Sequence, residues 1–384
     1  RNKMKIKNVI THVITADLEV PFKFSQGYCY QRSSVIVEVV GADGTSGFGE
    51  CMCHGQQPPQ LAAAFIDHCY RDLVIGENSL DAEVLWERLY NRVRPFGQMG
   101  SAINALSGLD IAFWDLNGKE LGQPVSRLLG GRFRDRVTAY ATGFYRTADG
   151  VYPEDAVKEA RSYVEAGFKG MKLKVGFLPE VDIKYIRAVR KAVGPDIMLM
   201  ADFNYAYNQS VARRIIMELE SEKLHFFEEL ITPEDIEGYR ALRNLTSSYI
   251  AAGECLFGKI ALKNWLEAGA PDIYQPDLCS CGGFTECKKM AALTQAYNTM
   301  MIPHVWGSGV GLAASLQFIA SLSNTPMADT PVEPLLEYDR SSHPFRLDLI
   351  YDGLDFVDGD MIIPDKPGIG VEVNRTVLEK YKVN

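Results

Sequence analysis

The chain lacks the features that mark several classes of protein. It has no run of lysine or arginine, and 40 basic residues face 49 acidic ones. The formal net charge of −9 makes neither nucleic acid nor an anionic membrane surface an expected partner. No apolar stretch reaches the length of a membrane span, and the first ten residues lack the apolar core of a secretory signal. We therefore expect a cytoplasmic protein, with Met4 as its natural first residue.

Motifs for phosphate, dinucleotide and zinc binding are also missing. The sequence contains no G-x-G-x-x-G, P-loop or nucleophile elbow. Its eight cysteines show neither paired zinc spacing nor a disulfide framework, which is typical of buried, reduced thiols. Cys51-Met52-Cys53-His54 suggests a metal site, but a second pair of ligands is absent. The length of 384 residues suits one large domain and a smaller one.

Ionisable residues recur at nearly even intervals, each at the end of an apolar, strand-like run. The first six are separated by 28, 26, 26, 23 and 27 residues, and a seventh follows after 33. The seven are Lys174, Asp202, Glu228, Glu254, Asp277, His304 and Glu337. This period fits one strand, one helix and two short loops per repeat. Because the active site of a (β/α)8 barrel lies at the C-terminal ends of its strands, we expect these side chains to meet there.

The patterns on either side of this repeat are different. Residues 4–50 alternate in β fashion, with a hairpin signal at Asp43-Gly44, and residues 60–95 and 101–130 have helical periodicity. Eight strands in series predict a parallel barrel rather than an open sheet. We therefore predict an α+β unit at residues 1–132 and a barrel at 133–340. Residues 341–384 are turn-rich and are predicted to pack back on the first unit.

Three of the strand-end residues are carboxylates on consecutive strands: Asp202, Glu228 and Glu254. Three carboxylates with room for water and substrate oxygens suit a hard octahedral cation, Mg²⁺ first and Mn²⁺ second. One such carboxylate would more often pair with a nearby lysine or arginine. Three in even register favour a metal site.

Groups able to transfer protons are predicted beside these ligands. Side chains alternate along a strand, so Lys172 and Lys174 point to the same face, where a cation would lower the lysine pKa. An exposed strand end would instead leave both lysines solvated. Asp277 and His304 lie on adjacent strands, and a carboxylate in that place can orient an imidazole and raise its basicity. A lone histidine is more often structural, but the register here favours an Asp–His dyad.

Two further features could bind substrate. Asn204 lies two residues after Asp202, so the two side chains face the same way. Asn204 could donate a hydrogen bond to the substrate. Gly307-Ser308-Gly309 follows His304 at the start of a predicted helix, where free backbone N–H groups could bind an anion.

Together these motifs resemble the mandelate racemase subgroup of the enolase superfamily, over the whole chain. The residues that carry the resemblance are Lys172-x-Lys174, Asp202-x-Asn204, Glu228-Glu229, Gly253-Glu254, Gln275-Pro276-Asp277 and Pro303-His304. The resemblance implies a modified barrel of (β/α)7β type with an N-terminal capping domain. Residues 21–30 and 50–57 would then close over the barrel and select the substrate. Candidate binding residues are His54, Tyr28, Tyr30, Gln56, Gln57 and Trp306.

The resemblance also implies a chemistry, the abstraction of a proton α to a carboxylate. Mg²⁺ and Lys172 would hold that carboxylate and stabilise the enediolate. Lys174 and the His304–Asp277 dyad would act as base or acid from opposite faces, and Glu337 would hydrogen-bond the carboxylate. The expected substrate is a small anion, a sugar acid or its lactone, and the chain is expected to form a homo-oligomer.

Within the subgroup, the segments ATGF, QPDLCSCGGFTE and IPHVWGSGVGLAASLQF are similar to those of galactarolactone cycloisomerases, which implies ring opening by β-elimination. Residues 22–30 do not match those enzymes. The alternatives are an acid-sugar dehydratase, which expels hydroxide with the same residues, and then a racemase or epimerase. From another class, the chain could be a catalytically silent barrel that acts as a binding module. Mg²⁺-dependent deuterium exchange into candidate acids would separate this last alternative from the enzymes.

Overall fold

The computed structural model describes residues 4–383, so the expectation about residues 1–3 lies outside it. The fold begins with three antiparallel strands, β1 (Ile6–Phe24), β2 (Gly27–Gly41) and β3 (Ser46–Cys51). The Asp43-Gly44 turn that we predicted joins β2 to β3, closed by a hydrogen bond from Gly41 N–H to the Thr45 carbonyl. The β1–β2 hairpin is long, and its tip reaches the barrel, where Gln26 Nε2 donates to the Asn204 carbonyl at 2.7 Å.

Helices cover one side of this sheet. They are α1 (Gln60–Phe65), a π-helical turn (Ile66–Tyr70), α2 (Arg71–Val74), a 3-10 turn (Ser79–Asp81), α3 (Ala82–Val93), α4 (Ser101–Leu121) and α5 (Val125–Leu128). Most residues of α4 are buried, because this helix lies between the cap sheet and the barrel helix that follows Asp277. No helix within residues 4–383 combines the length and the apolar character needed to cross a membrane.

The barrel contains the eight predicted parallel strands and seven helices between them, which confirms the (β/α)7β architecture. The strands are β4 (Arg136–Gly143), β5 (Gly170–Lys174), β6 (Met198–Asp202), β7 (Phe226–Glu228), β8 (Tyr249–Ala252), β9 (Ile273–Tyr274), β10 (Met300–Met301) and β11 (Leu336–Asp339). The helices are α6 (Glu154–Glu165), α7 (Pro179–Val193), α8 (Gln209–Leu219) with a 3-10 turn (Glu220–Glu222), α9 (Ile236–Arg243), α10 (Gly258–Ala268), α11 (Gly283–Ala296) and α12 (Gly309–Ala320). Each strand from β4 to β9 pairs with the one that follows it in the chain, and β11 pairs with β4.

A layer of apolar side chains fills the barrel below the strand ends. It consists of Tyr140, Met200, Phe226, Ala251, Ile273, Ile302 and Leu335, nearly all of them inaccessible to solvent. This layer closes the barrel, so charged groups at the strand ends can be reached only from the capped side.

The C-terminal segment contacts both parts of the molecule. Within it, β12 (Phe356–Val357) pairs with β13 (Asp360–Ile362), and β13 runs antiparallel to the start of β4. After α13 (Arg375–Lys380), Val383 N–H donates to the Val13 carbonyl of the cap at 2.9 Å. Val383, the last residue that the structure describes, therefore lies against the antiparallel sheet of the cap.

Gly253, which joins β8 to Glu254, is a position that only glycine suits. Its φ is +145°, and an added Cβ would lie 2.4 Å from the backbone nitrogen of Gln275, which directly follows β9. We expect Gly253→Ala to lower the free energy of unfolding by about 3 kcal/mol or more, from strain plus overpacking. Chemical denaturation measures this change.

Gly194→Ala is the matched control for that substitution. Gly194 also has positive φ, +81°, but an added Cβ would meet no atom within 4 Å. Because its ψ is −178°, in a region that essentially only glycine occupies, the alanine should cost about 1–3 kcal/mol of backbone strain and no overpacking. If both variants lose the same free energy of unfolding, the close approach of Gly253 to the backbone after β9 does not contribute to the loss.

Candidate active site

Three buried carboxylates meet at the C-terminal edge of the barrel sheet. Asp202 ends β6, Glu228 ends β7, and Glu254 follows β8 by two residues. Asp202 and Glu228 are direct register partners, which explains why even spacing along the chain becomes proximity in space. One carboxylate oxygen from each of the three lies within 4.8 Å of the others. The structure therefore brings the three predicted ligands together.

Two lysines of β5 reach into this cluster from the same face of the strand. Lys172 Nζ lies 2.7 Å from the nearer oxygen of Glu228 and 2.6 Å from Glu337 Oε2. Lys174 Nζ lies 2.5 Å from Asp202 Oδ2. Both lysines are buried, as the strand alternation predicted, rather than solvated at an exposed strand end.

The carboxylates hold both lysines in the charged form. Burial disfavours an ammonium group, but Glu228 and Glu337 outweigh it and raise the pKa of Lys172 well above its usual value. Asp202 does the same for the pKa of Lys174. The lowered lysine pKa that we expected beside a cation is therefore not a property of these side chains themselves, because four carboxylates surround two ammonium groups.

His304 and Asp277 form the predicted dyad, in the loops that follow β10 and β9. His304 Nδ1 lies 2.7 Å from Asp277 Oδ2, and its Nε2 lies 2.8 Å from Glu254 Oε2. Burial opposes the imidazolium, yet Glu254 and Asp277 raise the pKa of His304 well above its usual value. Lys174 contacts Asp202 and His304 contacts Glu254, so two proton-carrying groups lie at different ends of the carboxylate triad.

Amide and carboxylate side chains complete the cluster. Glu337 accepts a hydrogen bond from Val305 N–H at 3.0 Å, and Asn204 Oδ1 lies 3.2 Å from Lys174 Nζ. Gln275 Nε2 donates to Glu228 Oε2 at 3.0 Å. Sequence reasoning gave Gln275 no role, although it lies in the motif that identified Asp277.

A pocket above the cluster is lined by both domains. The cap contributes Phe24, Cys29 and His54, and the barrel contributes Tyr145 and Trp306 beside the charged groups. The His54 and His304 rings are 6.4 Å apart between centroids. Trp306 stacks beneath the buried guanidinium of Arg32, 3.7 Å from the ring centroid, and its indole N–H has no partner among the described residues.

The structure does not bring every candidate cap residue to this pocket. Tyr28 and Tyr30 stack on each other along a separate groove on the outside of the cap. Alternation along β2 is the reason, since Cys29 between them turns inward and is buried. Gln56 donates to the backbone of the hairpin, and Gln57 binds Ser101 and Asn104 of α4.

Sequence reasoning did not single out Phe24, Cys29 or Tyr145, although Phe24 and Cys29 lie in the segment 21–30 that we predicted to close over the barrel. Tyr145 follows β4 and lies 29 residues before Lys174. Extending the strand-end spacing back by one repeat would have reached it. No spacing rule points to Phe24 or Cys29, because their place depends on where the β1–β2 hairpin meets the barrel.

The helix start after His304 is not free to bind an anion from solution, which corrects our expectation. Glu50 of the cap accepts hydrogen bonds there from Ser308 N–H at 2.9 Å and from Gly311 N–H at 2.7 Å. Burial raises the pKa of Glu50, and the donors, Ser308 first, lower it in part. A carboxylate of the protein itself therefore occupies the position that we assigned to a ligand.

Family models match both parts of the chain. Residues 5–130 match the N-terminal domain of the mandelate racemase / muconate lactonizing enzymes, and residues 155–377 match the enolase C-terminal domain-like family. The chain belongs to the mandelate racemase and muconate lactonizing enzyme group of the enolase superfamily, as its motifs suggested. It is an enolase-superfamily enzyme.

Two relatives with named activities are similar to most of this chain. The chain is 40% identical over 380 residues to D-galactarolactone cycloisomerase of Agrobacterium fabrum, covering 99% of both proteins. It is 30% identical to arabinonate dehydratase of Saccharolobus solfataricus, covering 91% of this chain and 90% of that one.

Solved structures agree in fold over almost the whole chain. The 3,6-anhydro-D-galactonate cycloisomerase from Zobellia galactanivorans superposes with a TM-score of 0.89 at 35% identity, covering 99% of this chain and 100% of that one. A racemase from Streptomyces coelicolor, described with bound magnesium, superposes at 0.88 with 26% identity, covering 98% and 100%.

Proposed function

We propose that this enzyme opens the ring of a sugar-acid lactone by Mg²⁺-dependent β-elimination, in the manner of a galactarolactone cycloisomerase. One observation carries the proposal: Lys174 and the His304–Asp277 dyad approach a single carboxylate triad from different strands. Similarity to a D-galactarolactone cycloisomerase supports the choice of a lactone, and similarity to a 3,6-anhydro-D-galactonate cycloisomerase supports a cycloisomerase reaction. The expected homo-oligomer stays a prediction.

The triad fits a hard divalent cation. Asp202, Glu228 and Glu254 are buried, and carboxylate oxygens are the ligands that Mg²⁺ prefers. Three buried carboxylates in close contact repel one another. The two lysines offset only part of this repulsion, and a cation among the carboxylates would offset more of it. When bound, Mg²⁺ supplies positive charge that stabilises the enediolate formed by loss of the α-proton.

The side chains around the triad have separate roles in the proposed reaction. Lys172, held between Glu228 and Glu337, is placed to bind the substrate carboxylate whose α-carbon loses the proton. Asp277 fixes the imidazole of His304, so that its Nε2 faces the triad. Asn204, His54 and Trp306 are placed to contact the hydroxyl groups and ring of the substrate.

The elimination can be written with atoms and electrons in balance. The base is Lys174 or His304 in its neutral form, which a cation bound among the carboxylates would favour by offsetting the negative charge that raises its pKa. It takes the proton α to the free carboxylate, and the C–H electron pair forms a carbon–carbon double bond as the ring C–O bond breaks. The ring carboxylate leaves as a stable anion and needs no proton. The enol then gains one proton on the former β-carbon and loses the proton of its hydroxyl group, which gives a 2-keto-3-deoxy diacid and releases one proton overall. A dehydratase must protonate its departing hydroxide, which requires a second acid beside the leaving group.

Incubation with D-galactaro-1,4-lactone and Mg²⁺ in D2O is the direct test. We expect a keto-deoxy diacid whose new methylene carbon carries one deuteron, since the proton returns from an exchangeable side chain. NMR spectroscopy follows both the methylene signal and its deuterium content.

Open-chain hexarates and aldonates are the matched control substrates. Turnover of these acids, with none of the lactone, would replace the cycloisomerase by the dehydratase. Exchange at the α-carbon without elimination would favour a racemase or epimerase. No exchange into any acid of the series would favour the non-catalytic binding module.

A further inference from the structure

The loop that carries His304 is fastened to the capping domain by a buried carboxylate. Glu50, near the end of β3, is only 2% exposed. Its Oε1 accepts from Ser308 N–H, and its Oε2 accepts from Ser308 Oγ at 2.6 Å and from Gly311 N–H. Ser34 Oγ of β2 donates to Oε1 at 2.8 Å. Four hydrogen-bond donors therefore converge on one side chain, three of them from the barrel.

Close packing leaves this carboxylate little freedom. A Cβ added at Gly307 or at Gly311 would lie 2.8 Å from a Glu50 oxygen, so both glycines allow its approach. Charge-assisted hydrogen bonds are roughly twice as strong as neutral ones, and these are sheltered from water. The joint therefore fixes residues 307–311 relative to the cap sheet.

A second cap residue holds the same loop nearer to the histidine. Arg32 Nη2 donates to the Trp306 carbonyl at 3.0 Å, and the guanidinium is itself anchored by Asp339 at the end of β11. Val305 N–H is bound by Glu337. Three charged side chains, Arg32, Glu50 and Glu337, thus hold the backbone between His304 and α12, and two of them come from the cap.

We propose that Glu50 is a positioning residue for His304, through which the capping domain sets the placement of the imidazole. The inference rests on the proposed function, which gives His304 a role in proton transfer. Ser308 is four residues from His304 in a short loop, so losing its anchor would move the imidazole relative to Glu254. A misplacement of about 1 Å in a reacting group can cost about 100-fold in rate.

The test compares Glu50→Gln with Asp115→Asn. The glutamine keeps the shape but turns an amide N–H₂ toward donors and removes the charge. Asp115 is the matched control, a fully buried cap carboxylate on α4 that accepts from Phe48 N–H and Ile369 N–H, both at 2.8 Å. Among the described residues, its hydrogen bonds and its ion pair with Lys119 involve no residue of the His304 loop. Both variants should lose stability, so stability alone cannot separate them.

Two measurements distinguish the effects of Glu50→Gln from those of Asp115→Asn. In ¹⁵N-histidine-labelled protein without substrate, we expect the imidazole signals of His304, assigned by their absence in His304→Asn, to shift in Glu50→Gln and stay in place in Asp115→Asn. Against the lactone, kcat of Glu50→Gln should fall about 10- to 100-fold with KM within about threefold, and Asp115→Asn should keep near wild-type kcat.

Each outcome has a definite meaning. Unmoved His304 signals in Glu50→Gln would overturn the inference, and so would equal shifts in the two variants. Shifted signals in an enzyme that turns over no sugar acid or lactone would reject the proposed function while the positioning role stands. If Glu50→Gln does not fold, Ser308→Ala removes one donor and keeps the carboxylate; it should shift the same signals less, and no shift would again overturn the inference.

Discussion

The variants His304→Asn and Lys174→Ala are expected to lower kcat/KM for the lactone by at least about 10³-fold each. A positioned acid or base contributes about 10²–10⁴-fold, and each of these groups lies against a different carboxylate of the triad. The double variant should be little slower than the slower single one, because both groups act in one proton-transfer sequence. Steady-state kinetics and deuterium exchange at the α-carbon measure the losses.

The control for the histidine is His225→Asn. His225 is half-buried just before β7, at the opposite end of the barrel from the triad, and burial lowers its pKa. Its substitution should leave kcat/KM within about threefold of wild type. Wild-type kinetics in His304→Asn, or equal losses in both histidine variants, would remove the dyad from the mechanism.

The second large effect concerns the metal. Asp202→Asn is expected to abolish turnover and to weaken Mg²⁺ binding by more than the 10- to 100-fold typical of losing an outer-shell partner. The reason is that one of three buried charges is lost from a site whose affinity depends on ligand charge. Isothermal titration with Mg²⁺ measures the affinity. In parallel, 100-fold excess of Mg²⁺ over its Kd should stabilise the wild type by about 2.7 kcal/mol.

Asp182→Asn provides the comparison for a buried carboxylate outside the triad. Asp182, in the first turn of α7, accepts hydrogen bonds from the backbone N–H groups of Gly176 and Phe177 in the loop before that helix. The Asp182→Asn variant should be less stable than the wild type and should keep the wild-type Mg²⁺ affinity. If Asp202→Asn binds Mg²⁺ like the wild type, the metal is held elsewhere.

The strand-end residues were predictable because a parallel barrel converts chain spacing into spatial position. Each strand runs in the same direction and in register with its neighbour, so Lys174, Asp202 and Glu228 are adjacent partners in the sheet. The physical cause is the backbone hydrogen-bond ladder, which depends little on what the side chains are. Lys172 followed from alternation along the same strand.

The cap residues were not predictable in this way. Alternation alone could have separated Tyr28 and Tyr30 from Cys29, but it could not say which face of β2 meets the barrel. That choice depends on contacts between residues far apart in the chain, such as Gln26 with Asn204 and Arg32 with Asp339. The free helix start after His304 failed as a prediction for the same reason, since Glu50 lies 258 residues away from Ser308.

The sequence by itself thus determined the architecture, the carboxylate triad and the groups able to move protons beside it. Those features depend on periodicity and on side-chain chemistry, both of which are local to the strand and its repeat. Only the tertiary structure decided which cap side chains enter the pocket, the direction of the lysine pKa shifts and the partner of the α12 start. Each of these depends on the electric field or the packing at a point where several distant segments meet, and no single segment carries that information.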